Sequence, residues 1–502
     1  MPSPLLCIDD VFVLTPAGTL VYGLLLLEDG VVRYAGPREG VGGVGEGILR
    51  IAGEGMWALP GFVDVHVHFR EPGGTHKETI ASGSRAAARG GFTAVLMMAN
   101  TVPPPDTPER LREMRAVARR TAVVRTFAAA PVTRGQAGEF PVDFVALAAA
   151  GARAFSDDGL PVLDPLVLRA ALSASALLRL PVLLHEEDPS LSRGGVVHPS
   201  PWAAGRGLPT YPPESETSLI GRDLALAAFV PGARIHLQHL SSRVSVELVR
   251  RLRPLLARRG VRLTAEATPH HLVLTWEDVC RAADLAAEAD LGRERQGTSA
   301  SARISIRPQD AKVNPPLRES ADRDALVRAL REGIVDFVAT DHAPHAPEEK
   351  ALPLERAPFG ILGLETAFPL LYTELVLRGR FSLGELVDRM SRAPARFLGI
   401  PGGELAAGAP ADLVLVDPYV PRPVLPGRLA SKSRNTPFFG RTLRGWPVLT
   451  LVGGRVAYAD FELFSHAVRA LPPEAFVLPS TAEVPGGEIG DGADFVRGRV
   501  SP

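Results

Sequence analysis

What most narrows the folds open to this chain is a texture that starts at Gly61 and repeats: a short apolar run, a polar break, an amphipathic stretch, then another apolar run. Eight of these runs read as strands, at 62–68, 92–98, 123–129, 152–156, 182–185, 234–240, 262–267 and 335–340. Several of the stretches between them carry helical stripes. Thr107-Pro108 opens one bearing Leu111, Met114 and Val117 on one face. Another bears Leu248, Val249, Leu252, Leu255 and Leu256, and a third follows Ser320 with Leu326, Val327 and Leu330. Eight strands alternating with helices predict a (β/α)8 TIM-like barrel of the α/β class. A doubly wound open sheet is the rival, but no Gly-x-Gly-x-x-Gly follows any of these eight strands.

The flanks differ. Residues 1–58 alternate β-rich runs (11–14, 22–27, 31–34) with turns at Ala17-Gly18 and Asp29-Gly30, and show no helical period. Strand texture returns at 408–417 and 448–458, which are expected to complete this N-terminal β-unit. The predicted organisation is therefore β-unit 1–58, barrel 59–398, second β-part 399–460, and a Pro- and Gly-rich peripheral tail 461–502. Within the barrel, 280–310 breaks the pattern. It is Ala-, Glu- and Arg-rich, then polar at 296–301, and reads as a surface insertion, partly helical and partly mobile.

Composition excludes several function classes. A formal net charge of -1 over 502 residues gives no electrostatic footprint for nucleic acid or an anionic membrane. The apolar runs are too short to span a bilayer, and the start lacks a signal-peptide pattern. With only Cys7 and Cys280 there is neither a disulfide framework nor a cysteine-based zinc site. A cytoplasmic enzyme is expected.

Barrels of this kind build their sites at the C-terminal ends of the strands. The first strand carries His66 and His68, two apart, so both imidazoles project from one face and supply half of a metal site. Arg70, two further on, offers a guanidinium fork suited to a carboxylate. Asp64 shares the period and is expected to orient a ligand histidine. Later strand ends carry Asn100, Asp157-Asp158-Gly159, His185-Glu186-Glu187, His239, and Asp341-His342-Ala343-Pro344-His345. Singly, a strand histidine reads as a satisfied core group and Asp-Asp-Gly as a turn. Together, three histidine-bearing and two aspartate-bearing ends on one rim point to a metal centre. His76 and His198 read as loop residues, and His236 as facing away from His239. His270 and His271 read as structural, and His466 lies in the tail.

At these residues the chain resembles the bacterial class I dihydroorotases of the amidohydrolase superfamily. The resemblance rests on 60–74, 156–159, His185-Glu186-Glu187-Asp188, 238–241 and Val313-Asn314-Pro315-Pro316-Leu317-Arg318. It continues through 339–345, Ala357-Pro358-Phe359-Gly360 and Gly363-Leu364-Glu365-Thr366. It implies a metal-bearing barrel with a small β-sandwich formed by both chain ends. It implies one or two zinc ions per subunit, with two favoured. His66, His68 and Asp158 would hold one, and Asp158, His185 and His239 the other. Asp341 would be the catalytic acid/base and belongs to the same metal ligand set. Substrate contacts would fall on His68, Arg70, Asn100, Asn314, His345, Phe359 and Gly360. The implied reaction is the cyclisation of N-carbamoyl-L-aspartate to L-dihydroorotate in pyrimidine (UMP) biosynthesis. Association with aspartate carbamoyltransferase, which some class I members form, and homo-oligomerisation stay open.

Two features separate this reading from its rivals. Dihydropyrimidinases, hydantoinases and many allantoinases bridge their metals with a carboxylated lysine on strand four, whereas this chain has no lysine between Lys77 and Lys312. An aspartate must bridge instead; the family pattern favours Asp158, with Asp157 its neighbour. A catalytically silent relative would have lost metal ligands, and a mere metal store would have no reason to place Arg70, Asn100 and Asp341 on the same rim. One departure from the family is Ala99, where proline usually precedes the asparagine of strand two. The segment 347–358, rich in charge and proline, is expected to be a mobile loop near the site.

Overall fold

The computed structural model describes residues 5–41, 48–290 and 307–460, with side chains omitted for 284–290. The N-terminal strands are β1 (Leu6–Leu14), β2 (Leu20–Glu28), β3 (Val31–Gly36) and β4 (Leu49–Pro60). Eight strands follow: β5 (Phe62–Val67), β6 (Phe92–Met97), β7 (Arg125–Ala130), β8 (Ala154–Phe155), β9 (Val182–Leu184), β10 (Arg234–Leu237), β11 (Arg262–Ala267) and β12 (Phe337–Val338). The chain ends with β13 (Leu413–Asp417), the short pair β14 (Arg422–Pro423) and β15 (Thr442–Leu443), then β16 (Trp446–Val452) and β17 (Arg455–Ala459).

Strands β5 to β12 lie side by side in sequence order and pair in parallel, so each of the eight predicted runs is a barrel strand. Val63, Val65, Ala94, Leu96, Met98, Ala129, Ala154, Leu183 and Phe337 form a buried cluster that Ala395 and Leu398 join. The helices lie where their stripes and caps put them. Thr107 caps Pro108–Thr121, which buries Leu111 and Met114. Ser320–Glu332 buries Leu326, Val327 and Leu330 and ends on left-handed Gly333. In Arg243–Arg258, Val246, Val249 and Leu256 face the core, but Leu255 falls off the stripe and is 53% exposed.

The barrel closes where β5 meets the chain after β12. Val67 bridges His342, and the His68 N–H donates to the His342 carbonyl at 2.9 Å. Asp64 reinforces this seam: its carboxylate accepts from the Thr340 N–H at 3.1 Å, from the Thr340 hydroxyl, and from the His66 N–H at 3.1 Å. Asp64 thus holds backbone at the seam, and the expectation that it orients a histidine ring is not met. The register explains why. Asp64 pairs with Val95 and Val67 with Met97, so β5 carries one extra residue there. This bulge takes the histidines off the alternation that Asp64 follows.

Both chain ends meet in a separate seven-stranded sheet, ordered β17-β16-β13-β4-β1-β2-β3, with a buried core of its own. Its link to the barrel is a bidentate ion pair, in which Arg125 Nε and Nη2 reach the Asp412 carboxylate at 2.9 and 3.0 Å, both side chains nearly fully buried. A helix covers Trp276–Asp290, part of the expected insertion; its polar stretch 296–301 and the tail 461–502 lie outside the described residues. Among the described residues no helix is long and apolar enough to cross a membrane.

Candidate active site

The C-terminal strand ends bring the expected side chains together. His66 Nε2 and His68 Nε2 each lie 3.3 Å from the Asp158 carboxylate. His239 Nε2 is 3.9 Å from Asp158 and 2.9 Å from His185 Nδ1. Ligand atoms of His66, His68 and Asp158 lie within 4.8 Å of one another, as do those of Asp158, His185 and His239, so Asp158 is common to two potential metal sites. All five are buried. The neighbouring aspartate does something else: Asp157 accepts from the Val132 and Thr133 N–H groups at 2.8 and 3.2 Å and from the Thr133 hydroxyl, holding the end of β7.

The site's charges fit a cation. Asp158, Glu266 and Asp341 crowd His66, and none is paired with a lysine or arginine among the described residues. Burial disfavours a charged His66, yet the three carboxylates outweigh it and push the imidazole well above its ordinary value. Asp158 Oδ1 is buried without a hydrogen-bond partner. Buried carboxylates need such compensation, and a donor set of imidazoles and carboxylate oxygens suits zinc or a similar divalent ion.

Asp341 stands against this cluster, its Oδ1 2.9 Å from His68 Nε2 and 3.5 Å from His66 Nε2. Burial opposes its ionisation, but the surrounding histidines hold the carboxyl well below the usual range. Arg70, His239 and Asp341 all have left-handed backbone (φ 55, 31 and 49°), three of the nine non-glycine residues that do among the described residues. At roughly 1–2 kcal/mol each, this concentration of strain marks the strand ends as built for placement.

The rim lies beyond. Arg70 Nε donates to the Pro344 carbonyl at 3.2 Å, and Nη2 lies 3.4 Å from His345 Nε2. Its guanidinium has no carboxylate within ion-pair distance among the described residues. Burial, then the Arg70 charge, push His345 down to about 2, so it faces Arg70 as a neutral acceptor. Asn100 Oδ1 accepts from His68 Nδ1 at 2.8 Å, which aims His68 Nε2 at the cluster. Asn314 Nδ2 donates to Glu187 at 2.9 Å and lies 3.3 Å from His185 Nε2, and its Oδ1 is buried without a partner. Gly360 (φ 124°) donates its N–H to the Lys312 carbonyl at 2.9 Å, and Phe359 lies under the Lys312 ammonium at 4.4 Å. A Cβ at Gly360 would meet Ala343 Cβ at 2.6 Å and His345 Nε2 at 3.2 Å.

Segment 347–358 is tied down rather than free. Lys312 Nζ donates to the carbonyls of Leu354, Glu355 and Ala357, and fully buried Lys350 to those of Gln309 and Pro358. Asn435 braces the rim from ninety residues away, accepting from the His345 N–H at 3.0 Å and donating to the Ala343 and Gly360 carbonyls.

Sequence reasoning missed four neighbours of the site. Glu266, from β11, binds His66 Nδ1 at 2.6 Å. His236, read as facing away, reaches the same Glu266 at 3.0 Å, because alternation ends with β10 at Leu237 and the left-handed turn at His239 resets the direction. Glu187 sits between His185 and Asn314; burial opposes its charge, but His185, Asn314 and Ser192 together hold it at about 2. Asn435 carried no signal at all, whereas an acid inside an apolar strand such as 262–267 was a usable clue for Glu266.

Fold and site together define an amidohydrolase, and a family model of that description matches residues 222–457. A model described as dihydro-orotase-like matches residues 55–245. A dihydroorotase of Anoxybacillus flavithermus is 44% identical over 405 residues, covering 81% of this chain and 88% of that protein. One of Halalkalibacterium halodurans is 42% identical over 453 residues, covering 90% and 97%. The chain belongs to the dihydroorotase family. In overall fold it is similar to the L-hydantoinase (dihydropyrimidinase) of Arthrobacter aurescens, with a TM-score of 0.75 over 90% of this chain and 96% of that one at 24% identity.

Proposed function

We propose that this chain catalyses the reversible cyclisation of N-carbamoyl-L-aspartate to L-dihydroorotate and water, a step of pyrimidine (UMP) formation, using zinc, with two ions per chain favoured. The observation that carries the reading is a buried aspartate shared by two histidine pairs, with an arginine lacking a carboxylate on the same rim. Family membership supports the reaction. His66, His68 and Asp158 would hold one ion, and Asp158, His185 and His239 the second, with Asp341 beside them.

Zinc, when bound, supplies a Lewis acid and lowers the pKa of water towards neutrality. The chain's own groups do the rest. In the hydrolytic direction a water oxygen bonds to the ring amide carbon and the carbon–nitrogen bond breaks. Asp341, held ionised, takes the water's proton and gives it to the departing ring nitrogen. In the biosynthetic direction it takes a proton from the ureido nitrogen as that nitrogen bonds to the side-chain carboxyl carbon, and gives it to the carboxyl oxygen that leaves as water when the carbon–oxygen bond breaks. Arg70, with His345 and the Nδ2 of Asn100, grips the substrate's remaining carboxylate. Phe359 and Gly360 wall the ring, and Asn314 faces it from the other side.

The test is to measure zinc by elemental analysis and assay dihydroorotate hydrolysis with and without a chelator. Turnover that disappears with the chelator and returns with zinc is expected. A zinc-loaded protein that ignores dihydroorotate but opens hydantoin or allantoin would defeat the proposal.

A further inference from the structure

A side chain that touches neither substrate nor the proposed metal positions decides how His66 presents its lone pair. Glu266 is fully buried on β11 and has no lysine or arginine partner among the described residues. Its Oε1 lies 2.6 Å from His66 Nδ1, and its Oε2 lies 3.0 Å from His236 Nε2. The far nitrogen of His236 meets the Thr264 hydroxyl at 2.9 Å, and its ring stacks on Phe337 at 5.2 Å between centroids. Glu266 also accepts from the His239 N–H at 3.3 Å. One carboxylate on β11 therefore reaches residues of two other strands that build the site, β5 and β10.

The proton inventory of this chain has one satisfactory solution. A carboxylate only accepts, so both imidazole nitrogens facing it must be donors. His66 then keeps a proton on Nδ1 in either charge state, and Nε2, turned towards Asp158, is the nitrogen open to a metal. His236 carries its proton on Nε2, and its Nδ1 accepts from Thr264. Gln238 Nε2 competes for the same nitrogen, but it lies 3.3 Å from Nδ1 and 3.4 Å from Nε2, beside the ring rather than at either lone pair. The 2.6 Å contact settles the tautomer.

We infer that Glu266, braced from behind by His236, is the positioning residue that fixes the tautomer and tilt of His66 and makes it a stronger ligand. This rests on the zinc reading above. Second-sphere carboxylates on ligand histidines typically change metal affinity by about 10–100-fold. Removing its charge should therefore weaken the ion that His66 holds and spare the other, a selectivity that loss of a packing contact would not give.

The experiment uses the full chain, wild type and Glu266→Gln, with zinc affinity from chelator competition and melting of zinc-loaded and metal-free forms. Expected is one zinc weakened about 10–100-fold with the other unchanged. The gain in melting temperature on zinc loading should be smaller in the variant than in wild type. Nitrogen-15 shifts of zinc-loaded protein should place the His66 proton on Nδ1 in wild type. Unchanged affinity for both ions, or equal destabilisation of both forms, overturns the inference. Should Glu266→Gln not fold, His236→Phe decides: it keeps the ring stack, and a several-fold loss at one zinc supports the inference while no loss refutes it. A wild type that binds no zinc overturns the metal reading itself, and this inference with it; a wild type that binds two, with both variants unchanged, overturns this inference alone.

Discussion

The two residues on which the proposed chemistry leans hardest are Asp341 and Arg70, and they should fail differently. Asp341→Asn keeps the shape beside His68 but cannot shuttle a proton, so turnover should fall by about 10²–10⁴-fold with zinc content retained, as kcat and elemental analysis will report. Unchanged turnover would remove its role. Arg70→Met removes both the planar fork and its charge. Losing a hydrogen-bonded charge pair of this kind costs on the order of 2 kcal/mol or more, so kcat/KM for dihydroorotate should drop at least about 30-fold, chiefly through KM. His66, His68, Arg70 and Asp341 were legible because histidines, arginine and aspartate stand out at the ends of apolar runs. Glu266 was not, since nothing in one strand says which distant histidine its carboxylate meets. Asp64 misled because a bulge is a property of two paired strands, visible only once β5 and β6 are in register.

Among the elements, the eight strands and the capped helices could be read within a few residues, since each is written in local periodicity and punctuation. The loop 347–358 could not. Its proline and charge suggest mobility, yet the charges are the fasteners: Lys312 gives three carbonyls its three ammonium hydrogens, while Lys350 faces two carbonyls, which a neutral amine also satisfies. Burial is the main cause that brings Lys350 from 10.5 down to about 7. Below pH 7 it is charged in both folded and unfolded chains and the burial penalty is fully present. Between about 7 and 10.5 the unfolded chain keeps a proton that the folded one has shed, so this residue's contribution to stability rises with pH. The difference in denaturation midpoint between wild type and Lys350→Met should therefore shift in favour of wild type from pH 7 to 9. Parallel curves would mean that Lys350 stays charged. Just past this loop, Gly360→Ala should cut activity sharply with little effect on zinc binding, since the new methyl would press on Ala343 and His345 rather than on a proposed ligand.

For the molecule as a whole, barrel and end-built sheet are joined by Arg125 and Asp412, and breaking one side of that pair leaves a charge buried alone. Arg125→Ala should lower stability by roughly 3–5 kcal/mol with zinc stoichiometry unchanged, measurable by chemical denaturation. That both chain ends share one sheet was suggested by their matching texture, but its order, with β13 beside β4, is a long-range fact no local pattern encodes. The closure between β5 and the stretch after β12 has a consequence for how the enzyme wears out. The clasp of this hoop and its working part are the same few peptides, since His68 holds His342 next door to Asp341. Gentle heating that merely springs the clasp should silence the catalyst while every helix still contributes its ultraviolet signal.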